Sequence, residues 1–278
     1  MAELPEVEVY VRDMQRTIVG RTITEGDVPV PQTVRFVPPD VFSHEIAGAQ
    51  IEGVSRRAKW MLLALSGDRV LALHLMLFGS LRLARQSELR EPSLCLALPL
   101  DDGSELRLLD KKGYARAALL PVSELDKRLH LDQLGPEVLD AAFTPDALEH
   151  RFSRKRTPVK PALLDQHIVA GMGNRDADES LWRARIDPRK PAGAISHDEA
   201  ERLTAAMRDV LREGIDRGGT MGDLRGQLGT QRKHIQVFAR QGKPCPRCGA
   251  PIQRLALQNR NTFFCSVCQQ SEQAEAIR

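Results

Sequence analysis

Four of the five cysteines fall in two pairs, Cys245-Pro-Arg-Cys248 and Cys265-Ser-Val-Cys268, with sixteen residues between them. Each C-x-x-C puts two thiolates on one tight turn, and a hairpin between the pairs closes a tetrahedron, the donor set of a zinc site. Gly249 follows the first pair where such a turn uses it. Two disulfides are the alternative pairing, which a chain without a secretory signal disfavours. Four thiolates leave no open coordination position, so the expectation is one structural zinc ion and no catalytic metal. Cys95 stands apart, in the alternating run Leu94-Cys-Leu96-Ala-Leu98-Pro-Leu100.

The second chemical signal is local charge. Formal net charge is only +3, yet Leu224 to Ser271 holds eight Lys or Arg residues and no Asp or Glu, so the remainder of the chain is net negative. A further knot, Arg151-Phe-Ser-Arg154-Lys155-Arg156-Thr-Pro-Val-Lys160, packs five cations into ten residues. Either run alone suits a solvated face. Two on a nearly neutral chain fit a polyanion partner, because phosphate contacts need local charge rather than total charge.

The elements that position these groups change character along the chain. Leu4, Val7, Val11, Met14 and Ile18 recur at helical spacing over residues 4–19, with Pro5 in the first turn and Gly20 after the last. From about residue 45 to 122 short strands take over: Trp60–Leu65, Val70–Leu75, Ser80–Leu83, Leu94–Leu100 and Leu106–Leu109, the last two joined by Asp101-Asp102-Gly103. Beyond Pro121 the spacing predicts helices over Ser123–Leu131, Pro145–Phe152, Val159–Gln166, Asp176–Ala184 and Ser196–Arg217. The expected class is α+β in three parts. Residues 1–122 form a β-sandwich domain with one leading helix, and 123–223 a helical domain. Residues 224–278 form a basic linker and a zinc-finger hairpin.

Composition narrows the class further. The chain has 278 residues, 42% hydrophobic and 28% charged, an ordinary globular mixture. No run approaches the roughly 18 apolar residues of a membrane span. The start, Met1-Ala2-Glu3-Leu4-Pro5-Glu6, has neither a basic nor an apolar signal region. No membrane partner and a cytoplasmic location are therefore expected.

Motifs along the whole chain resemble the bacterial formamidopyrimidine-DNA glycosylase and endonuclease VIII family of base-excision repair enzymes. They are Glu3-Leu4-Pro5-Glu6-Val7-Glu8, Ser55-Arg-Arg-Ala-Lys59, His74 through Gly79-Ser80-Leu81-Arg82, Leu134-Gly135-Pro136-Glu137, Gly171-Met-Gly-Asn174, Gly218-Gly219-Thr220 and the four-cysteine finger. Each is weak alone; their order and spacing together are specific. The resemblance implies a β-sandwich, a helix-two-turn-helix module and a zinc finger, with damaged double-stranded DNA held in a cleft between the lobes. It also implies a monomer in the bacterial cytoplasm, associated with the nucleoid.

In the family, the α-amine of residue 2 attacks the sugar C1′, the base departs, an imine links protein to DNA, and elimination cuts the strand. An α-amine titrates near pH 8, so part of it is a free nucleophile at neutral pH, unlike Lys at about 10.4. Carried over by position, Ala2 is the nucleophile and Glu3 the acid that protonates the sugar ring oxygen. Lys59 contacts phosphate and assists elimination. Asn174 binds phosphate at a helix start, and Arg260 does so from the finger's hairpin. Lys155 and Lys160 of the basic knot join the DNA contacts.

Several positions depart from the family pattern. Ala2 stands where most members carry Pro, so the amine is primary and gives an imine that needs protonation. It acts only once Met1 is removed. The three void-filling positions carry Leu77, Lys112 and Tyr114; Leu and Tyr can wedge and stack, but Lys lacks the bidentate fork of Arg. Arg175-Asp176 replaces an apolar-aromatic pair, and Met221 stands where a second Thr is common. The leading expectation is a DNA glycosylase with AP-lyase activity on oxidised or abasic sites. The alternative is a relative that binds damage without cutting efficiently; a zinc-ribbon RNA-binding protein is the third reading.

Overall fold

A computed structural model describes residues 2–270. They divide into two units, one of residues 2–132 and 217–230, the other of residues 133–216 and 231–270.

The first unit begins with helix α1 (Leu4–Thr17), whose apolar stripe of Leu4, Val7, Val11 and Met14 is buried as the spacing predicts. Strand β1 (Val34–Arg35) and helix α2 (Pro39–Ile46) follow, then β2 (Ile51–Arg57), β3 (Trp60–Leu65), β4 (Arg69–His74), β5 (Ser80–Arg85), β6 (Leu94–Pro99), β7 (Ser104–Leu109) and β8 (Arg116–Pro121). They form a five-stranded sheet in the order β1-β8-β4-β3-β2 and a three-stranded sheet β5-β7-β6. The inner faces share one core. Met61, Leu63 and Leu73 come from the larger sheet, Leu81, Leu96, Leu98 and Leu108 from the smaller, and Val7 and Met14 from α1. Strict alternation on β3 marks the side facing that core.

β6 and β7 are buried on both faces, which alternation alone does not predict. The cause is Arg107, fully buried in mid-strand. Its guanidinium bonds Glu105 and Glu91 and the carbonyls of Arg85, Glu88 and Leu89, so the loop of residues 86–93 is folded back over the sheet. The Asp101-Asp102-Gly103 hairpin forms as expected, with the Leu100 N–H donating to Ser104 O at 2.8 Å. Helix α3 (Val122–Leu129) closes this run of the chain.

The second unit holds α4 (Pro145–Phe152), α5 (Val159–Leu164), α6 (Asn174–Ala184) and the long α7 (His197–Asp216), then the hairpin β9 (Gln253–Leu257) and β10 (Arg260–Phe264). α6 packs on α7 and on β10. A small core of Trp182, Val237, Ile252 and Phe263 ties α6 to the cysteine-bearing hairpin. No helix among the described residues is long and apolar enough to cross a membrane.

Candidate active site and nucleic-acid interface

In the first unit, Ala2 is 6% exposed and belongs to the apolar core, directly before the cap of α1. Met1, whose removal would free the Ala2 amine, lies outside the described residues. Glu3 is the N-cap and forms a reciprocal capping box with Glu6, its own N–H donating to Glu6 Oε2 at 2.8 Å. Both carboxylates are buried. Glu6 also accepts from the backbone N–H and the hydroxyl of Thr220, each at 2.8 Å. Gly219 (φ +67°) lies so close that a Cβ would come within 2.9 Å of Glu6 Cγ. The motif Gly218-Gly219-Thr220 is thus a cradle for Glu6, and through it fixes the residue-2 and residue-3 backbone. Glu6 is absent from the sequence-derived site, although its three-residue spacing from Glu3 is a capping-box signal.

Lys59 sits in the two-residue turn between β2 and β3, where Arg57 pairs with Trp60. Ala58 takes the left-handed conformation (φ +50°). Arg56 braces the turn, bonding Glu8 of α1 at 2.9 Å and the Ala58 carbonyl at 2.9 Å. Half-buried Lys59 acts electrostatically on His74, at the end of β4. Burial first, then the charges of Lys59 and Arg116, holds the His74 imidazole down to about 4. Its neutral Nδ1 accepts the Met76 N–H at 3.0 Å, which places the remaining ring proton on Nε2.

Leu77, Lys112 and Tyr114 lie on two loops of this same unit and are all exposed. Buried Asp110 organises the second loop, accepting from the N–H groups of Lys112 (2.8 Å), Tyr114 (2.9 Å) and Ala115 (2.8 Å). Phe78, beside Leu77 and unremarked in the sequence, faces Tyr114 with ring centroids 6.1 Å apart.

In the second unit, Asn174 opens α6 and donates from Nδ2 to the Asn261 carbonyl at 3.1 Å. Arg260 is exposed at the start of β10, just past the left-handed pair Gln258 and Asn259 at the hairpin tip. Lys155 is half-buried between α4 and α5, its carbonyl accepting the Gly193 N–H at 2.9 Å. Lys160 departs from the expectation of a DNA contact. It is fully buried, and its ammonium meets Asp178 Oδ1 at 2.7 Å, Asn261 O at 2.7 Å and Thr262 Oγ1 at 3.0 Å. An ammonium so committed has no donor facing a phosphate; it holds the Asn261 carbonyl, which Asn174 also uses, next to Arg260. Asp178 and Glu179 complete this support. Asp178 accepts the Phe263 N–H at 3.0 Å, and Glu179 accepts the N–H groups of Gln236, Val237 and Phe238, each at 2.9 Å. Neither carries a spacing signal in the sequence. Arg175 and Asp176, the substituted pair, form a buried ion pair at 2.9 Å.

The four cysteine sulfurs lie within 4.8 Å of one another. Cys245 and Cys268 are 3.9 Å apart and Cys248 and Cys265 3.5 Å. A tetrahedron with Zn–S bonds of about 2.3 Å has edges of about 3.8 Å, so the thiolates fit one structural zinc ion. Arg247 covers the site's apolar side, its guanidinium 4.2 Å from the Trp182 ring centroid. Cys95 is buried on β6, far in sequence from this set.

Comparison with known proteins joins these pieces. Residues 1–117 match the formamidopyrimidine-DNA glycosylase N-terminal domain, residues 134–225 the formamidopyrimidine-DNA glycosylase H2TH domain, and residues 242–270 a zinc finger found in FPG and IleRS. The formamidopyrimidine-DNA glycosylase of Chloroflexus aurantiacus is 42% identical over 275 residues, covering 97% of this chain and 98% of that protein. That of Herpetosiphon aurantiacus is 38% identical over 277 residues, covering 97% and 100%. Lactococcus lactis Fpg, solved in complexes with abasic-site DNA and with FAPY-dG-containing DNA, superimposes with a TM-score of 0.91 at 30% identity over 97% of this chain and 100% of that one. The N-terminal, helical and zinc-finger regions are thus matched together and in order, and the chain belongs to the formamidopyrimidine-DNA glycosylase family.

Proposed function

We propose that the chain is a base-excision repair DNA glycosylase with AP-lyase activity, acting on oxidised bases and abasic sites in double-stranded DNA. The observation that carries the reading is the amino end. A buried carboxylate, Glu3, is held beside residue 2 by Glu6, which Thr220 in turn holds through two hydrogen bonds. Capping α1 needs only a side-chain oxygen at position 3, whereas catalysis at residue 2 needs an acid there, and Glu3 supplies both.

In this reading the Ala2 nitrogen bonds to C1′ as the base leaves, and Glu3 delivers a proton to the ring oxygen as the sugar opens. The amine's surplus proton leaves with the departing base, and the protonated imine then acidifies C2′, whose proton passes to water. Loss of that proton expels the 3′ phosphate, with Lys59 stabilising the charge. Asn174 and Arg260 take backbone phosphate. Leu77, Lys112 and Tyr114 occupy the space the damaged nucleotide vacates, and Lys155 adds a peripheral cation. The proposed functional partition is 1–122, 123–223 and 224–278, with Thr220 of the middle part serving the amino end through Glu6. We propose a monomer acting in the bacterial cytoplasm at the nucleoid.

Borohydride trapping on an abasic-site duplex tests the mechanism, with intact mass recorded on the same sample. An adduct mapped to Ala2 on protein lacking Met1 is expected. Specific binding with no adduct, on protein verified to lack Met1, would leave only a damage-binding relative.

A further inference from the structure

Two aromatic rings stand half out of the protein on adjacent loops of the first unit. Phe78 is 56% exposed and Tyr114 46%, with Leu77 beside them at 37%. The Phe78 and Tyr114 planes are inclined at 40°. Rings left in water forfeit burial, so a paired, outward-facing set marks a binding surface.

The loops carrying them are rigidly built. On the Phe78 side, the Gly79 N–H donates to the Leu75 carbonyl at 2.8 Å, and a Cβ at Gly79 would lie only 2.5 Å from that oxygen. Met76 is in the left-handed region (φ +51°) with its N–H fixed on His74 Nδ1. On the Tyr114 side, the Asp110 carboxylate gathers the amides of Lys112, Tyr114 and Ala115, and Gly113 (φ +67°) makes the bend. The rings are therefore presented, not frayed. Lys111 and Lys112, both exposed, precede Tyr114 on the same loop. Aromatic faces with neighbouring ammonium groups on a fixed frame suit an unstacked nucleobase and the phosphates beside it.

We infer that Phe78 is a base-stacking residue that joins Tyr114 in a two-ring platform for the base left unpaired opposite the damaged or abasic position. The inference rests on the DNA-repair reading above and extends the reading set by a residue. A ring reads a base by its π-face, which every base possesses, whereas Lys112 offers no bidentate fork to a base edge. Opposite-base selectivity therefore comes from stacking strength: purines opposite an abasic site bind more tightly than pyrimidines, with little discrimination within either class.

The test uses the full chain and a duplex holding a stable abasic analogue opposite 2-aminopurine, whose fluorescence falls when it stacks on an aromatic ring. Wild type quenches the signal on binding. Phe78→Ala should bind roughly tenfold to a hundredfold more weakly, the loss expected for one base–aromatic stack, and leave most of the fluorescence. Phe78→Leu, which keeps apolar bulk without a π-face, should behave like the alanine variant. Melting temperatures should match wild type, since the ring is exposed. Wild-type affinity and quenching in Phe78→Ala, or their restoration in Phe78→Leu, would overturn the stacking role alone. Wild type binding the abasic duplex no better than undamaged DNA would overturn the repair reading and this inference together.

Discussion

At the scale of single residues, the amino end and His74 make separable predictions. A secondary amine at position 2 would form a cationic iminium directly, whereas Ala2 forms an imine that must be protonated. Ala2→Pro should therefore raise the rate of borohydride-trappable adduct on abasic DNA; a lower rate would mean the alanine site is built for its primary amine. Glu3→Gln keeps an oxygen to cap α1 but removes the acid, so base excision should fall by about 10²- to 10⁴-fold with little change in DNA affinity. Activity within a few fold of wild type would return Glu3 to a purely structural cap. For His74, burial depresses the folded pKa from 6.5 to about 4. As pH falls below 6.5 the unfolded chain takes up the proton first, so stability is lost between there and about 4, by roughly 3 kcal/mol at most. His74→Gln should flatten the dependence of melting temperature on pH across that window; an unaltered dependence would place the acid sensitivity elsewhere. None of these roles could be read from composition or periodicity. Ala2 and Glu3 are reached through resemblance, and the His74 shift depends on burial first and then on Lys59 and Arg116, all of which only the folded sheet supplies.

At the scale of elements, hairpins and helices with strong spacing signals were legible: β3, α4 and the start of α5 fall at their expected residues. The elements that escaped have physical reasons. β8, Arg116-Ala-Ala-Leu-Leu-Pro121, is alanine-rich and ends in proline, a weak strand signal that pairing with β4 overrides. β2 is a polar edge strand, and α2 is only two turns long and starts at Pro39, too short for a clear helical period. Lys160 shows the same limit at a functional position, since a basic knot in sequence cannot reveal which cation is turned inward. Removing its ammonium strands buried Asp178, so Lys160→Met should destabilise the second unit by about 3–5 kcal/mol. The salt dependence of DNA binding should stay unchanged. A salt slope reduced by about one, at unaltered stability, would instead restore Lys160 to the phosphate contacts. Zinc removal acts on the neighbouring hairpin. Four thiolates contribute folding energy directly, so a strong chelator should unfold β9–β10, shift Trp182 emission and abolish tight DNA binding. Retained affinity after verified zinc loss would move DNA recognition off the finger.

At the scale of the whole molecule, the sequence reads as three consecutive parts, yet residues 217–230 fold with the first unit. The tie is the Glu6–Thr220 contact and the burial of Leu224 in the sandwich core, a pairing across more than two hundred residues that no local period encodes. Charge is likewise distributed between units: Lys59 belongs to the first, Arg260 to the second. If both neutralise phosphates, each contributes about 0.9 to the slope of log affinity against log salt, because each releases condensed counterions. Lys59→Ala and Arg260→Ala should then each weaken binding and lower the slope by about that amount. The double variant should lose the sum, since the two cations act on different phosphates. A slope lowered by only one substitution would confine the backbone contacts to that residue's unit. Unchanged slopes and affinities in both would remove these residues from the DNA interface, and with them the electrostatic basis of the proposed activity.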